Sequence, residues 1–528
     1  MPDTRYDIVV VGGGHNNLAA AAYLAKAGLS VIVLEKNATA GGGAVSRQVT
    51  LPGFIHDLHA TGVVHLQGHP MLANDELELK SKFGLKFVHP QATFMTVFDD
   101  GDTLATYGDL DLTCADIARF SQKDAESYRR LVKFMEGVAP MVGMSMARPP
   151  VSFGSFVSFL EKVPVGQELL MATLKSCYDL ITEYFEHVKV RIHFLKWAAE
   201  GLTCSPEDKG TGIVMLFLIG GSHTFPAGVV VGGTQSLTDA MVRCILHHGG
   251  EMRVNALVKR VITSGGEAKG VELADGTIQA RKAVIASIHP HLLATMVGGL
   301  DAGLLQRAAR TQLNTFNGIT VHGALDEAPN WKAGAVANNC LYVNLVDYRG
   351  MEHFRRTFDE LRYGHFPPVP SAVVSVHTNY DQTRAPPGKH TLYCFSWGPM
   401  FFADMPFSRW GDIKDSYAEA VWQQMARFAT NLSGANILAR SAESPLDMQR
   451  HTPSFQRGDS SGLGNHLYQT LGMRPTPELA EYRVPGAKGL FLGGPFMHPG
   501  PGLTGGGRPL AIRVMEDLGL DYSTIIRS

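Results

Sequence analysis

An α/β fold is predicted by three stretches of this 528-residue sequence. The first, Tyr6 to Lys36, runs from an apolar strand through a glycine turn and a small-residue helix to a second apolar strand. The second, Phe225 to Ile262, again joins a glycine turn to a helix and a strand, and the third, Gly489 to Asp517, sets a glycine-rich loop between an apolar run and a helix. The segments between them are of mixed strand and helix texture, so a Rossmann-like domain interrupted by a second, α+β domain is expected.

In YDIVVVGGGHNNLAAAAYLAKAGLSVIVLEK, Ile8 to Val11 read as a buried parallel strand, and Gly12 and Gly14 allow a tight turn and close approach to a pyrophosphate. The helix beginning by Asn17 offers its N-terminus to phosphate. Ala19 to Ala22 and Leu24 give it a small face for the sheet, Gly28 ends it, and Val31 to Leu34 return as a strand. Glu35 lies 21 residues after Gly14, where the dinucleotide fingerprint asks for a carboxylate about 20 residues on to accept ribose hydroxyls. Asn17 replaces the third glycine of G-x-G-x-x-G, and the flanking alanines are the expected compensation.

The next stretch, TAGGGAVSRQVTLPGF, lets a second loop pass the cofactor at Gly41 and Gly42 before Pro52 and Gly53 turn the chain away. Together, GGGHNNL, LEK, GGGAVS and PGF resemble the FAD-dependent phytoene desaturase and carotenoid isomerase superfamily. The likeness is greatest to the branch of pyridine nucleotide-disulphide oxidoreductase domain protein 2, which has glycine at the place of Asn17. Further on, GVELADGTIQARKAVIAS, GDSSGLGNH, Arg474-Pro475 and the closing GLFLGGPFMHPGPGLTGGGRPLAIRVMED fit the same pattern, so the resemblance covers most of the chain.

The resemblance implies noncovalent FAD on a discontinuous domain of the glutathione-reductase type, with parts at 1–80, 223–300 and 456–528. The inserted substrate domain would occupy 81–222 and 301–455. The implied cofactor contacts are Gly12, Gly14, Asn17 and Gly494 at the pyrophosphate, Glu35 and Lys36 beyond the second strand, the Gly41-Gly42 loop, and Val258 at the adenine. Gly502, Leu503 and Thr504 would lie by the isoalloxazine, where a helix N-terminus stabilises developing negative charge. His498, in MHPGPGLT, is the single catalytic candidate, since an imidazole with an ordinary pKa of about 6.5 can exchange the proton that accompanies hydride transfer. The competing reading is a loop histidine bonded only to backbone.

Between these segments, ATFMTVF and TLATYG read as a hairpin, Ser121 caps an amphipathic helix, and Asp415 to Leu432 read as a helix. A helix from Ser236 to His247 is followed by a strand through Val258, and Ala283 to Ala286 form a buried strand. Phe153, Phe156, Val157 and Leu160 share a helical stripe that is either core or a lipid-facing entrance for an apolar substrate, and Ile213 to Ile219 carry the same pair of readings. Tyr342, Tyr393, Phe395, Trp397, Phe401 and Phe402 are either pocket lining or core. His56, His59, His65 and His69 lack zinc spacing with a second ligand pair, so no metal is expected and a place along the flavin's edge or in a surface turn is.

A formal net charge of −2 provides no basic field for nucleic acid, which is excluded as a partner. Six scattered cysteines without a C-x-x-C pair fit a reducing compartment and speak against a disulfide reductase. With the first strand starting at Tyr6 no leader is expected, and no apolar run reaches the roughly 18 residues of a membrane span. A cytoplasmic protein is expected, with peripheral membrane contact or a homo-oligomer formed through Met141 to Val163. The implied function is an FAD-dependent oxidoreductase of desaturase or dehydrogenase type, moving a hydride between an apolar, isoprenoid-like substrate and flavin, with quinone or oxygen as acceptor. A flavin amine oxidase and a non-enzymatic binding protein like the GDP-dissociation inhibitors are the alternatives.

Overall fold

The computed structural model describes residues 4–225 and 227–527. The outermost residues of the expected domain limits, and Pro226 of the second cofactor segment, lie outside them. The chain opens with β1 (Arg5–Val11), α1 (His15–Lys26) and β2 (Val31–Leu34). It leaves for a hairpin, β3 (Ala92–Phe98) and β4 (Thr103–Tyr107), and a helical group. That group includes α2 (Gln122–Met146), α3 (Phe153–Leu160), α4 (Val188–Leu202) and α5 (Gly212–Thr224). It returns with α6 (Gln235–His247), β5 (Glu251–Arg253), β6 (Arg260–Ser264), β7 (Glu267–Leu273) and β8 (Gly276–Ala286).

A second excursion forms β9 (Phe316–Leu325), β10 (Cys340–Val346), β11 (Ala372–Ser375), β12 (His390–Pro399), α7 (Trp410–Ala426) and β13 (Ile437–Glu443). The chain closes with β14 (Leu490–Leu492) and α8 (Gly507–Asp517). The first sheet therefore draws its strands from three separate parts of the sequence, in the order β6-β7-β8-β1-β2-β5, with β14 alongside the end of β8.

The parallel centre of this sheet is apolar throughout because helices cover it. Ile8 pairs with Val31 on one side and Ala283 on the other, and both neighbours are fully buried. Helix α1 packs its alanines against the sheet and its first turn against α8. A Cβ on Gly507 would lie 2.1 Å from the Asn16 carbonyl oxygen, so only glycine lets α8 approach this closely. The N-termini of α1 and α8 are thereby held side by side.

The second sheet runs β13-β9-β12-β11-β10-β3-β4, antiparallel except where β10 meets β3. Helix α4 lies against it through Trp197, stacked on Phe94 at 5.3 Å, and through His193, whose two ring nitrogens are each 2.9 Å from a threonine hydroxyl, Thr96 and Thr106. Arg384, which is fully buried, ties the first two cofactor segments to the loop that precedes β12. It donates to Asp57 Oδ2 at 2.6 Å, Asp381 Oδ2 at 2.8 Å and the Val230 carbonyl at 2.7 Å.

Three expected boundaries need correction. Helix α1 starts at His15 rather than Asn17, because Gly14 already has the extended backbone of an N-cap. No strand passes through Val258: β5 stops at Arg253, Asn255 adopts a positive φ of 51°, and Val258 is a buried residue between β5 and β6. Helix α7 begins at Trp410, five residues ahead of Asp415, because the fully buried indole of Trp410 is part of its packing face, and it ends at Ala426 rather than Leu432.

Candidate cofactor and substrate site

The turn after β1 supplies the first part of the site. Gly12 has φ of 90°, and a Cβ there would also meet Ser287 at 3.1 Å. The Gly13 N–H donates to Glu35 Oε2 at 2.8 Å, while Oε1 accepts from the Asn37 N–H at 2.8 Å and its side-chain amide at 2.9 Å. These bonds fix the carboxylate at the end of β2. The second loop closes over the first, with the Gly41 N–H 2.8 Å from the Gly13 carbonyl and a Cβ on Gly42 only 3.0 Å from Gly14 Cα.

Asn17 takes the place of the usual glycine with a use for its side chain. Its amide nitrogen donates to the carbonyls of Val11 at 3.0 Å and Gly12 at 3.2 Å, closing the end of β1. A Cβ on Gly493 would sit 2.1 Å from Asn17 Oδ1, so glycine on β14's exit makes room for the larger residue on α1. The substitution is thus met by the third segment, in addition to the alanines of α1.

A cavity of about 190 Å³ opens at this turn. Gly14, Asn17, Gly42 and Gly494 line it, and Gly502 and Leu503 close its far end. Nothing stands within 4 Å of the place a Gly14 Cβ would take. His15 Nε2, Asn16 Oδ1 and Asn17 Oδ1 are buried around it without protein partners. Free space, unpartnered polar atoms and the α1 N-terminus are the features a pyrophosphate requires. The residues present fit FAD. Glu35, Lys36 and Val258 lie outside this cavity; Lys36 Nζ donates to the Arg450 carbonyl at 2.6 Å.

A second cavity of about 1040 Å³ adjoins the first. Its walls come from the end of α2, from α3 and α5, and from the second sheet, including Met141, Phe156, Phe217, Tyr342, Tyr393 and Phe395. Trp397 is core, Phe401 is exposed on the surface, and Phe402 packs against the core cluster of the second sheet. The Phe and Met stripe is neither wholly core nor wholly surface. Leu160 is buried, Phe156 faces the cavity, and Phe159 and Met144 line it while remaining 48% and 62% exposed. Ile213, Val214 and Phe217 of α5 line it as well.

His59, His65 and His69 line the large cavity, and His56 is buried behind it, so none of the four is in a surface turn. Among the described residues no group of His, Cys, Asp or Glu is placed to hold a metal ion. His59 reaches both cavities; burial and the neighbouring His451 and Arg47 charges push its pKa down to about 3. His498 and Thr504 line the large cavity. The His498 ring is buried, its Nε2 lies 3.2 Å from the Ser145 carbonyl at the end of α2, and burial lowers its pKa to about 4.

Glu200, Thr203 and Ser454 also line the cofactor cavity and carried no signal in the sequence, whereas Ser287, in the same lining, closes the GVELADGTIQARKAVIAS stretch of the resemblance. Ser460 and Ser461, there too, belong to the GDSSGLGNH stretch that the resemblance had marked.

The three-segment nucleotide sheet, the glycine turn and the paired cavities define an FAD-dependent oxidoreductase. The chain belongs to the flavin containing amine oxidoreductase family, whose model matches residues 18–452. It is 28% identical to mouse pyridine nucleotide-disulfide oxidoreductase domain-containing protein 2, over 97% of this chain and 94% of that one. It is 25% identical to one of the limonene dehydrogenase polypeptides of Castellaniella defragrans, over 98% and 95% of the two chains. Phytoene desaturase of Cercospora nicotianae is 24% identical over 99% and 91%. A putrescine oxidase variant shares the fold at a TM-score of 0.62, 16% identity and full coverage of both chains. So does cyclohexylamine oxidase of Brevibacterium oxydans, at 0.58 and 16% identity over 98% and 100%.

Proposed function

We propose that the protein oxidises or reduces an apolar, isoprenoid-like substrate by moving a hydride between it and FAD, as a desaturase or dehydrogenase, with a quinone or oxygen as terminal acceptor. The observation that carries this reading is the cavity of about 1040 Å³, whose exposed wall is mostly apolar, with Phe156, Phe217, Phe395, Met141 and Leu218 among its lining, and that meets the cofactor cavity at Gly502 and Leu503. A volume at the upper end of small-molecule sites, with a surface that is mostly apolar, suits a bulky hydrocarbon. Two of the relatives are named for limonene and phytoene, which supports the same class.

Bound FAD supplies a two-electron acceptor. In this reading the Gly12–Asn17 turn and Gly494 hold the pyrophosphate, Glu35 takes the ribose, and Lys36 and Val258 flank the adenosine. Gly502, Leu503 and Thr504 would border the isoalloxazine where the two cavities meet, and the apolar walls would exclude water. Anaerobic mixing of the purified protein with phytoene in detergent is the test. Loss of the oxidised-flavin absorbance is expected, and bleaching by putrescine but not by phytoene, squalene or limonene would overturn the reading.

Amine oxidation is the second reading, favoured by the family description. Against it stands the charge of the large cavity. Glu200 is the one carboxylate among its described lining residues, and it is already paired with Lys196, which leaves no free negative charge for a substrate ammonium. Putrescine should therefore yield no hydrogen peroxide.

For His498 the proposed role is proton exchange at the large cavity. His498→Ala should keep its FAD and slow flavin bleaching by substrate roughly 100-fold, the lower end of the usual contribution of general acid–base groups. Unchanged bleaching with unchanged FAD would remove His498 from the chemistry.

Met144, Val151 and Phe159 are more than 45% exposed while lining the large cavity, so we also propose that they form a membrane-contacting entrance. Among the described residues no helix is long and apolar enough to cross a membrane. Flotation with liposomes that Phe159→Asp abolishes is the expected result; a protein that stays with the soluble fraction in both forms would contradict it.

A further inference from the structure

The reading as a hydride-transferring flavoenzyme has His498 as one candidate for the accompanying proton, and the structure holds a second that the sequence did not suggest. The two cavities share a short wall. Among the described residues only two titratable side chains lie on it, His59 and Glu200. A group on that wall borders both the flavin space and the substrate space.

Glu200 is near the C-terminus of α4, one turn after Lys196. Both side chains are nearly removed from water, at 3% exposure for Lys196 and 10% for Glu200. Lys196 Nζ donates to Glu200 Oε1 and to Ser371 Oγ at 2.6 Å, and it sits 3.5 Å from the centre of the Trp397 ring. Ser371 Oγ is in turn 3.4 Å from Glu200 Oε1. All of these partners stand on the second-sheet side of the carboxylate or on its own helix, and its other flank borders the cavities.

A pair that served stability alone could be replaced by apolar residues at little cost, since buried ion pairs rarely repay their desolvation. Here the pair is placed where the cofactor and substrate spaces meet. We propose that Glu200 is the catalytic base that accepts the substrate proton released when the apolar substrate is oxidised, a proposal that rests on the hydride-transfer reading above. In that step one substrate carbon gives up a hydrogen together with its electron pair, and these reduce FAD. The adjacent C–H bond breaks, its electron pair becomes the new carbon–carbon π bond, and its proton joins a Glu200 carboxylate oxygen.

The environment suits the role. Burial pushes the Glu200 carboxyl up from its ordinary range, toward the basicity a proton acceptor needs, while the Lys196 ammonium opposes this. Burial likewise brings Lys196 down to about 8. His59, the other shared group, has its pKa pushed to about 3 and holds a proton poorly. His498 lines the large cavity but not the cofactor cavity.

The test uses the FAD-loaded full chain and Glu200→Gln, which keeps the shape and can still meet Lys196 and Ser371. Infrared difference spectra are recorded as the flavin is reduced electrochemically with no substrate present. The natural protein should gain a protonated-carboxyl stretch as negative charge arrives beside Glu200, and Glu200→Gln should lack it at equal FAD content. With phytoene as the probe, the same variant should bleach at least 100-fold more slowly. Should Glu200→Gln fail to hold flavin, Glu200→Asp must shift the carboxyl band. A band that survives in Glu200→Gln, or is unmoved in Glu200→Asp, overturns the proposal, as does an unchanged bleaching rate. A protein purified without flavin overturns the hydride-transfer reading itself, and the proposal with it.

Discussion

Gly14→Val is expected to fold as the natural protein does and to emerge without flavin. Gly14 has φ of −70° and ψ of 154°, a conformation in which a β-branched residue is at ease, and nothing lies within 4 Å of its absent Cβ. The loss of a glycine at this N-cap costs the helix about 1 kcal/mol, since valine caps poorly. The valine methyls instead fill the space in front of the α1 N-terminus, where the pyrophosphate must approach free N–H groups. The measurement is the ratio of flavin to protein absorbance beside a thermal unfolding curve of the apo forms. Apo transitions within a degree or two of each other, with flavin absent from the variant, are expected; a yellow variant would place the pyrophosphate elsewhere.

Arg384→Met is expected to give the largest loss of stability. The guanidinium is completely buried between Asp57 and Asp381, and the variant leaves both carboxylates buried without their counter-charge. Breaking a buried pair from one side costs about 3–5 kcal/mol. The same network binds the first two cofactor segments together, because Asp57 Oδ1 also accepts from Thr234 N–H at 2.8 Å and Ser46 Oγ at 2.6 Å. Weaker FAD retention should accompany the lower unfolding midpoint.

The pH dependence has a definite sign. Burial raises both carboxyls, and the Arg384 charge with hydrogen bonds outweighs it, so Asp57 and Asp381 end below the usual range. Groups with a depressed folded pKa contribute stability above their unfolded value of about 3.9, and lose it as pH falls through the folded one. The difference between natural protein and Arg384→Met should accordingly be full at neutral pH and shrink below about pH 4. A difference that persists undiminished into acid would assign the stabilisation to packing rather than charge.

Much of this site is written locally. The β1 turn, α1, β2 and Glu35 follow from spacing because a strand, a tight turn and a helix can meet one phosphate in only one order. The closing loop is legible for the same reason, and His498 with it. Glu200 is not. As Lys196-x-x-x-Glu200 it reads like any solvated i,i+4 pair on a helix, and only the packing of α4 against the second sheet makes it buried. The histidines 59, 65 and 69 are similar, since what sets them on a cavity wall is the crossing of distant chain segments. The strand wrongly run through Val258 shows the limit of apolar patterning, because a buried valine in an irregular segment looks the same as one in a sheet.

The central claim, that the large cavity holds an apolar substrate against the flavin, is tested most directly by the mass of what leaves it. Phytoene incubated anaerobically with stoichiometric FAD-loaded protein should be recovered lighter by one pair of hydrogens per flavin bleached. Unaltered phytoene beside a fully oxidised flavin, with peroxide formed from putrescine in air, would contradict the account.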